Sequence, residues 1–169
     1  MRPAALVCAV VGVCALSATA VASAPPFGTR LPPGWSRVGF SLTLTSDPVE
    51  RYAAASFRLH RVSRDAGCVF VGEGVRRQMP PNGVIVDVVE SVGSAPPVPR
   101  DFPSLSSRPS LGRAASLEGC YGSAYNVPFR IGRRAFQAFV LVRARPGAHH
   151  LEQARDLLGS LRSGARNPV

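Results

Sequence analysis

CYGSAYNVPFRIGRRAFQAFVLVRAR, residues 120–145, decides the fold. In Arg134 to Arg145 one parity holds Phe136, Ala138, Val140 and Val142, and the other holds Ala135, Gln137, Phe139 and Leu141. Successive strand side chains point to opposite faces, so a strand apolar on both parities is one covered on both faces. The preceding run gathers Tyr121, Ser123, Tyr125, Val127 and Phe129 on one parity. Pro128 lacks a ladder donor, which predicts an edge position or a bulge. Gly132 supplies the positive φ of a tight connection. The stretch is therefore expected to be an antiparallel hairpin at the centre of a sheet.

Moving outward, Ala148 to Arg162 places Leu151, Ala154, Leu158 and Leu161 at three-and-four spacing, with Leu157 widening the stripe. This predicts an amphipathic helix that packs on the sheet. Val84 to Val89 is a second apolar strand in which Asp87 stands among apolar neighbours. If buried it needs a partner, and an Arg from the adjacent strand is expected. Val71, Val75 and Met79 share one face of a helix predicted over Cys68 to Met79, which Pro80-Pro81-Asn82-Gly83 stops with a turn. Val38 to Thr45 alternates and is read as a half-buried strand. Asp47-Pro48 with Glu50 suggests a capped turn, and Arg51 to Leu59 is read as extended. Gly93 to Ser116 is a long loop with Asp101-Phe102-Pro103 as a docking point. Trp35 is expected to anchor the chain where it joins the core. The class is α+β: an antiparallel sheet with a central C-terminal hairpin, one mid-chain helix and a C-terminal helix on the sheet.

Met1-Arg2-Pro3 followed by an uncharged Ala/Val/Leu run to Ala22 predicts a secretory signal over residues 1–24, with small residues at Ala20, Ala22 and Ala24. Cleavage after Ala22 avoids Pro25 as the new N-terminus. The competing reading is an uncleaved anchor, since the run approaches the ~20 residues a spanning helix needs. Residues 25–34 read as a Pro/Gly-rich linker. A single domain follows over 35–163, with a tail at 164–169. Cys8 and Cys14 fall in the signal. Cys68 and Cys120, 52 positions apart, are the expected disulfide of an exported chain, worth about 4 kcal/mol in the chain-entropy picture. Two buried free thiols are the alternative.

All 20 basic residues are Arg and the formal charge is +10. Lysine-free, Ala/Gly/Pro-rich usage points first to a GC-rich coding genome. The charge still favours anionic polymers and membranes. No G-x-S-x-G occurs, His60 falls in an Arg-rich loop, and His149 and His150 stand at the start of the last helix, where solvent exposure is expected, so no catalytic residues are assigned. His149 with Glu152 or Asp156 offers at most one metal ligand per turn, so no metal is assigned. Gly72-x-Gly74 lacks the rest of a nucleotide fingerprint, and no cofactor is expected. The arginines are spread along the chain, which argues against nucleic acid. Asp87 and Glu90 point to opposite faces of a strand and cannot act as a hydrolytic pair.

Several phrases resemble a family of uncharacterised exported proteins from high-GC Gram-positive bacteria. They are Gly34-Trp35, Asp47-Pro48-Val49-Glu50-Arg51, Ala55-Ser56-Phe57, Met79-Pro80-Pro81-Asn82-Gly83, Val88-Val89-Glu90, Asp101-Phe102-Pro103, Phe129-Arg130, Gly132 to Gln137 and Leu158-Gly159-Ser160-Leu161. They span most of residues 34–162. The resemblance implies export and no particular activity. A weaker likeness, in the two ends of the chain, is to the Mog1/PsbP-like α/β sandwich, and it concerns architecture alone.

The expected function is that of a non-catalytic exported binding or accessory domain at the cell envelope. Its possible basic face comprises Arg76, Arg77, Arg130, Arg133, Arg134, Arg143 and Arg145, and would hold anionic cell-wall polymer or lipid headgroups. One alternative is an enzyme whose site joins Asp87, Tyr121 or Tyr125 to a nearby Arg. The other is a membrane-tethered accessory domain, if the first segment stays.

Overall fold

The computed structural model describes residues 27–43, 48–62, 71–92, 102–117, 121–143 and 146–163. The segment expected to be a signal, Cys68, Cys120, Asp47, Asp101, Arg145 and the expected C-terminal tail lie outside them. The class is α+β. Six antiparallel strands form one sheet, with a helix on each face.

The predicted hairpin is its spine. Strand β6 (Tyr121–Ile131) pairs with β7 (Arg134–Val142) through nine register positions, from Ser123 opposite Val142 to Ile131 opposite Arg134. The two-residue connection has Gly132 at φ 61° while Arg133 keeps a negative φ, the pattern of a type II′ turn. β7 is buried on both parities, as its sequence demands. On its other side lies β4 (Val84–Glu90), buried along its whole length, followed by β3 (Val49–Ala55) and the short edge strand β2 (Ser36–Arg37). β5 (Ala115–Leu117) completes the other edge against the first half of β6. The Arg130 amide donates outward to the Pro103 carbonyl at 2.9 Å. Pro128, two residues away, therefore turns its donorless nitrogen to the same outer edge, which β5 does not reach.

Helix α2 (Ala148–Ser160) lays Ala154, Leu157 and Leu158 on one face of the sheet, and Leu161 follows into the same core. There they meet Val84, Val86, Val88, Phe129, Phe136, Ala138 and Val140. On the opposite face α1 (Glu73–Gln78) packs through Val75, flanked by Val71 and Met79, against Ile85, Val89, Phe139 and Leu141. The predicted Val71/Val75/Met79 stripe is thus real, but the helix is shorter than Cys68–Met79: it opens at Glu73, after Gly72.

Three further expectations give way. The stretch 25–34 is not merely a linker. Phe27–Gly28 forms β1, paired with β8 (Arg162–Ser163), and the Phe27 ring meets Phe136 edge-on at 5.1 Å. Pro32 to Trp35 then makes a tight turn, with Gly34 at φ 79° and the Trp35 amide on the Pro32 carbonyl. Trp35 is buried and donates to Gln153 Oε1 at 2.9 Å, anchoring this segment to α2. Second, Val38 to Thr43 is not a strand beyond one backbone bond from Val38 to Ala53. Third, Glu50 belongs to β3 rather than to a capped turn, so the strand starts before Arg51 and ends at Ala55, before Leu59.

Candidate functional site

Two places combine unusual chemistry with construction by several elements. The first is a cavity of about 320 Å³ between segment 103–110 and the second half of β6. Its walls are largely apolar: Pro103, Leu105 and Pro109 on the loop, Val127, Pro128 and Phe129 on the strand. Ser104, Ser106, Ser110 and Arg108 supply the polar groups. The loop is held at several points. The Leu105 amide donates to the Arg130 carbonyl at 3.2 Å, which together with the Arg130–Pro103 bond extends the sheet edge where β5 stops. Leu111 is buried in the α2-side core. Gly159 of α2 lets the Ser107 carbonyl approach so closely that a Cβ there would sit upon it. Arg108 pairs with Glu152 of α2 at 2.8 Å in solvent.

The second place is a pair of carboxyl groups on the α1 face. Asp87 is 1% exposed and Glu50 half-buried. The register of β3 on β4 brings them together. Glu50 lies opposite Val89, yet Tyr52 lies opposite Val88, so Arg51 is an extra, bulged residue. A bulge reverses strand parity. It puts Glu50 on the face of Val89 and Asp87, and Tyr52 on the α2 face. Glu50 Oε2 accepts the amides of Leu42 (2.6 Å) and Thr43 (3.0 Å). The Thr43 hydroxyl donates to Asp87 Oδ2 at 3.1 Å. Asp87 Oδ1 is buried and has no hydrogen-bond partner among the described residues. Burial, and then the nearby Glu50, push the Asp87 carboxyl well above the usual carboxylate range against the Thr43 hydrogen bond. Burial also raises Glu50, against its backbone donors.

The arginine expected beside Asp87 is therefore absent among the described residues; the acid faces another acid. The arginines of neighbouring strands go to Glu90 on the opposite face, where Arg51 and Arg134 hold it at 2.7 and 2.6 Å. Asp87 and Glu90 diverge, as their spacing predicts. Asp87 and Tyr125 also diverge: Tyr125 packs on the α2-side core. The structure thus does not join these two into one site, and Tyr121's side chain is outside what is described.

The arginines of the expected basic face fall at two ends of the hairpin. Arg130, Arg133 and Arg134 lie at its turn, with Arg134 engaged by Glu90. Arg143 lies at the far end of β7, about 30 Å away along a strand, and donates to the Met79 carbonyl at 2.7 Å. Arg76 and Arg77 of α1 lie on this side and pair with Glu73, which they hold below its usual range.

A wider groove of about 590 Å³ separates Arg30–Pro33 from α2, with His149 and Asp156 exposed on its wall. Glu152 is taken by Arg108 and Arg155, and no group of three metal-ligating side chains occurs among the described residues. Among them, too, no helix is long and apolar enough to cross a membrane. No protein-family model, curated protein or solved structure matches this chain. What can be said of its function comes from its own residues.

Asp87 is visible in the sequence as a lone acid in an apolar strand, but its companion is not. The signal that would have found Glu50 is the bulge at Arg51, and an alternation pattern carries no mark of it. The cavity was likewise hidden, since its walls come from a loop and a strand about 20 residues apart in the chain.

Proposed function

We propose that this chain is an exported, single-domain, non-catalytic binding protein of the cell envelope, and that its ligand occupies the cavity between segment 103–110 and β6. The observation that carries the reading is that cavity: about 320 Å³, apolar on most sides, with one arginine and three serines. Concave, mainly apolar sites with a few polar groups are the usual form of small-molecule sites. The ligand class that fits is an anionic amphiphile, such as a lipid-derived carboxylate or phosphate. Its chain would lie against Leu105, Val127 and Phe129, and its head beside Arg108. The exposed Arg108–Glu152 pair is weak enough for the guanidinium to turn to a ligand. Of the two anionic partners expected from charge, lipid fits this apolar chamber better than wall polymer. The signal-like N-terminus supports export. The Cys68–Cys120 disulfide and the two arginine groups at the hairpin ends remain parts of the proposal. An uncleaved first segment would make the same domain membrane-tethered, which N-terminal sequencing of each cell fraction decides.

The test is a titration with straight-chain alkanoates of increasing length. Burial of about 0.8 kcal/mol per methylene gives roughly fourfold tighter binding per carbon until the cavity is full. Arg108→Gln should weaken carboxylates about fivefold, the size of an exposed charge contact, and leave the matching alcohols unchanged. No binding, or binding indifferent to chain length, sinks the proposal.

A further inference from the structure

The carboxyl pair on the α1 face stands apart from the cavity, which lies beside the other core. It ties down one segment. Glu50 receives the Leu42 and Thr43 amides, Asp87 receives the Thr43 hydroxyl, and the Ser41 hydroxyl donates to the Thr43 carbonyl at 2.7 Å. Leu42, between these bonds, is buried in the core cluster with Val71, Val75 and Val89. Segment 41–43 is otherwise irregular. These hydrogen bonds replace the strand ladder its sequence suggested.

We infer that Glu50 and Asp87 form a proton-operated latch on segment 41–43: with one proton on the pair the segment is closed, and with none it releases from the sheet.

Charge in a confined space operates the latch. Around Asp87 the cross-strand neighbours are Ala53 of β3 and Phe139 of β7, and its own strand offers Ile85 and Val89. From α1 and its flanks come Val71, Val75 and Met79. The charged groups of these elements are committed elsewhere. Glu73, Arg76 and Arg77 of α1 pair with one another in solvent. Arg51 of β3 and Arg134 of β7 hold Glu90 on the opposite face. Arg61 lies over the Phe40 ring at 6.0 Å, and the His60 backbone is bound by Gln78. Among the described residues, Glu50 is thus the charge that acts on Asp87. Two backbone amides favour Glu50 as the ionised member, which leaves the proton to the fully buried Asp87. The orphaned Oδ1 fits a neutral acid better than an anion, because an unpaired buried charge is far more costly than an unpaired neutral group. Removing that proton places two like charges side by side in an apolar core. The relief open to the fold is to let segment 41–43 lift and admit water. The sheet beneath, tied through β4 and β7, stays intact.

The experiment is amide hydrogen exchange of the full chain, in EDTA so that no cation replaces the proton, across pH 5 to 9. In the wild type the opening constant at Leu42 and Thr43 should rise about tenfold per pH unit above the ordinary carboxylate range and level off once Asp87 ionises in the closed state, as one-proton linkage requires. Amides of β4 and β7 should keep a flat opening constant. Asp87→Asn, a neutral isostere, should abolish the rise. Equal profiles in the wild type and Asp87→Asn overturn the latch. The carboxyl carbon of Asp87, followed by NMR in the wild type, provides a check free of any substitution. A midpoint within the ordinary carboxylate range also overturns it.

Discussion

Arg134 grips Glu90 as a fork, Nε on Oε1 and Nη2 on Oε2, each at 2.6 Å. The two residues sit at the turn end of the hairpin, and Arg51 reaches the same carboxylate from β3 at 2.7 Å. Burial alone would raise Glu90, but hydrogen bonds from Arg134 and Arg51 hold it below its usual range. A depressed carboxylate contributes stability above its unfolded pKa and loses it as pH falls through the folded value. Arg134→Ala should therefore lower stability by about 1 kcal/mol near neutral pH, the upper end for an ion pair whose guanidinium is half in water. The deficit should shrink at high salt and vanish in acid. Urea unfolding at several pH values checks this.

Asp87 has the opposite sign. Its raised folded pKa gives a contribution that is complete below the ordinary carboxylate range and falls away as pH rises through the folded value. Asp87→Asn has nothing to lose there. The stability difference, variant minus wild type, should therefore grow with pH from acid to mildly alkaline conditions. Thermal melts between pH 4 and 9 read it directly, and a constant difference would refute the assignment.

Phe27 tests whether the N-terminal stretch belongs to the fold. Its ring is 4% exposed and meets Phe136 edge-on. Phe27→Ala should cost about 3 kcal/mol or more, the size of a large-to-small core change, whereas a linker residue would cost almost nothing. Phe136→Ala, which loses both Phe27 and the stacked Phe129 at 5.4 Å, should be the more severe.

Gly159 couples helix α2 to the cavity loop. A Cβ at this position would strike the Ser107 carbonyl, so Gly159→Ala must push segment 103–110 away. Overpacking of this kind destabilises by about 1–3 kcal/mol. Alkanoate binding should fall more than stability does, because the displaced loop is one wall of the cavity. Ser160→Ala, one residue along, breaks only a local bond to the Leu157 carbonyl and serves as the control.

Much of this architecture was legible. The two apolar parities of β7, the leucine stripe of α2 and the Val71/Val75/Met79 face all report burial through period alone, and each lies where its period says. What failed had competing hydrogen bonds. Val38 to Thr45 alternates like a strand, but Glu50 takes the Leu42 and Thr43 amides that a ladder would need. Residues 25–34 read as a linker because proline and glycine dominate them. Yet Pro33-Gly34 builds the turn that seats Trp35, and a single Phe27 binds the start to the core. Asp87 stands out in the sequence, but its neighbour among the described residues is an acid rather than the expected arginine. Charge complementarity between adjacent strands predicts an arginine, and only the bulge at Arg51 reveals that the arginines face Glu90 instead. The cavity depends on how a loop docks, which no local pattern encodes.

The most direct measurement is an amide chemical-shift map of the folded chain titrated with decanoate. The account predicts saturable shifts confined to Leu105, Ser106, Arg108, Val127 and Phe129, with the α1 face and the hairpin turn unmoved. No shift at millimolar decanoate, or shifts centred on α1 or on Arg30–Pro33, would contradict it.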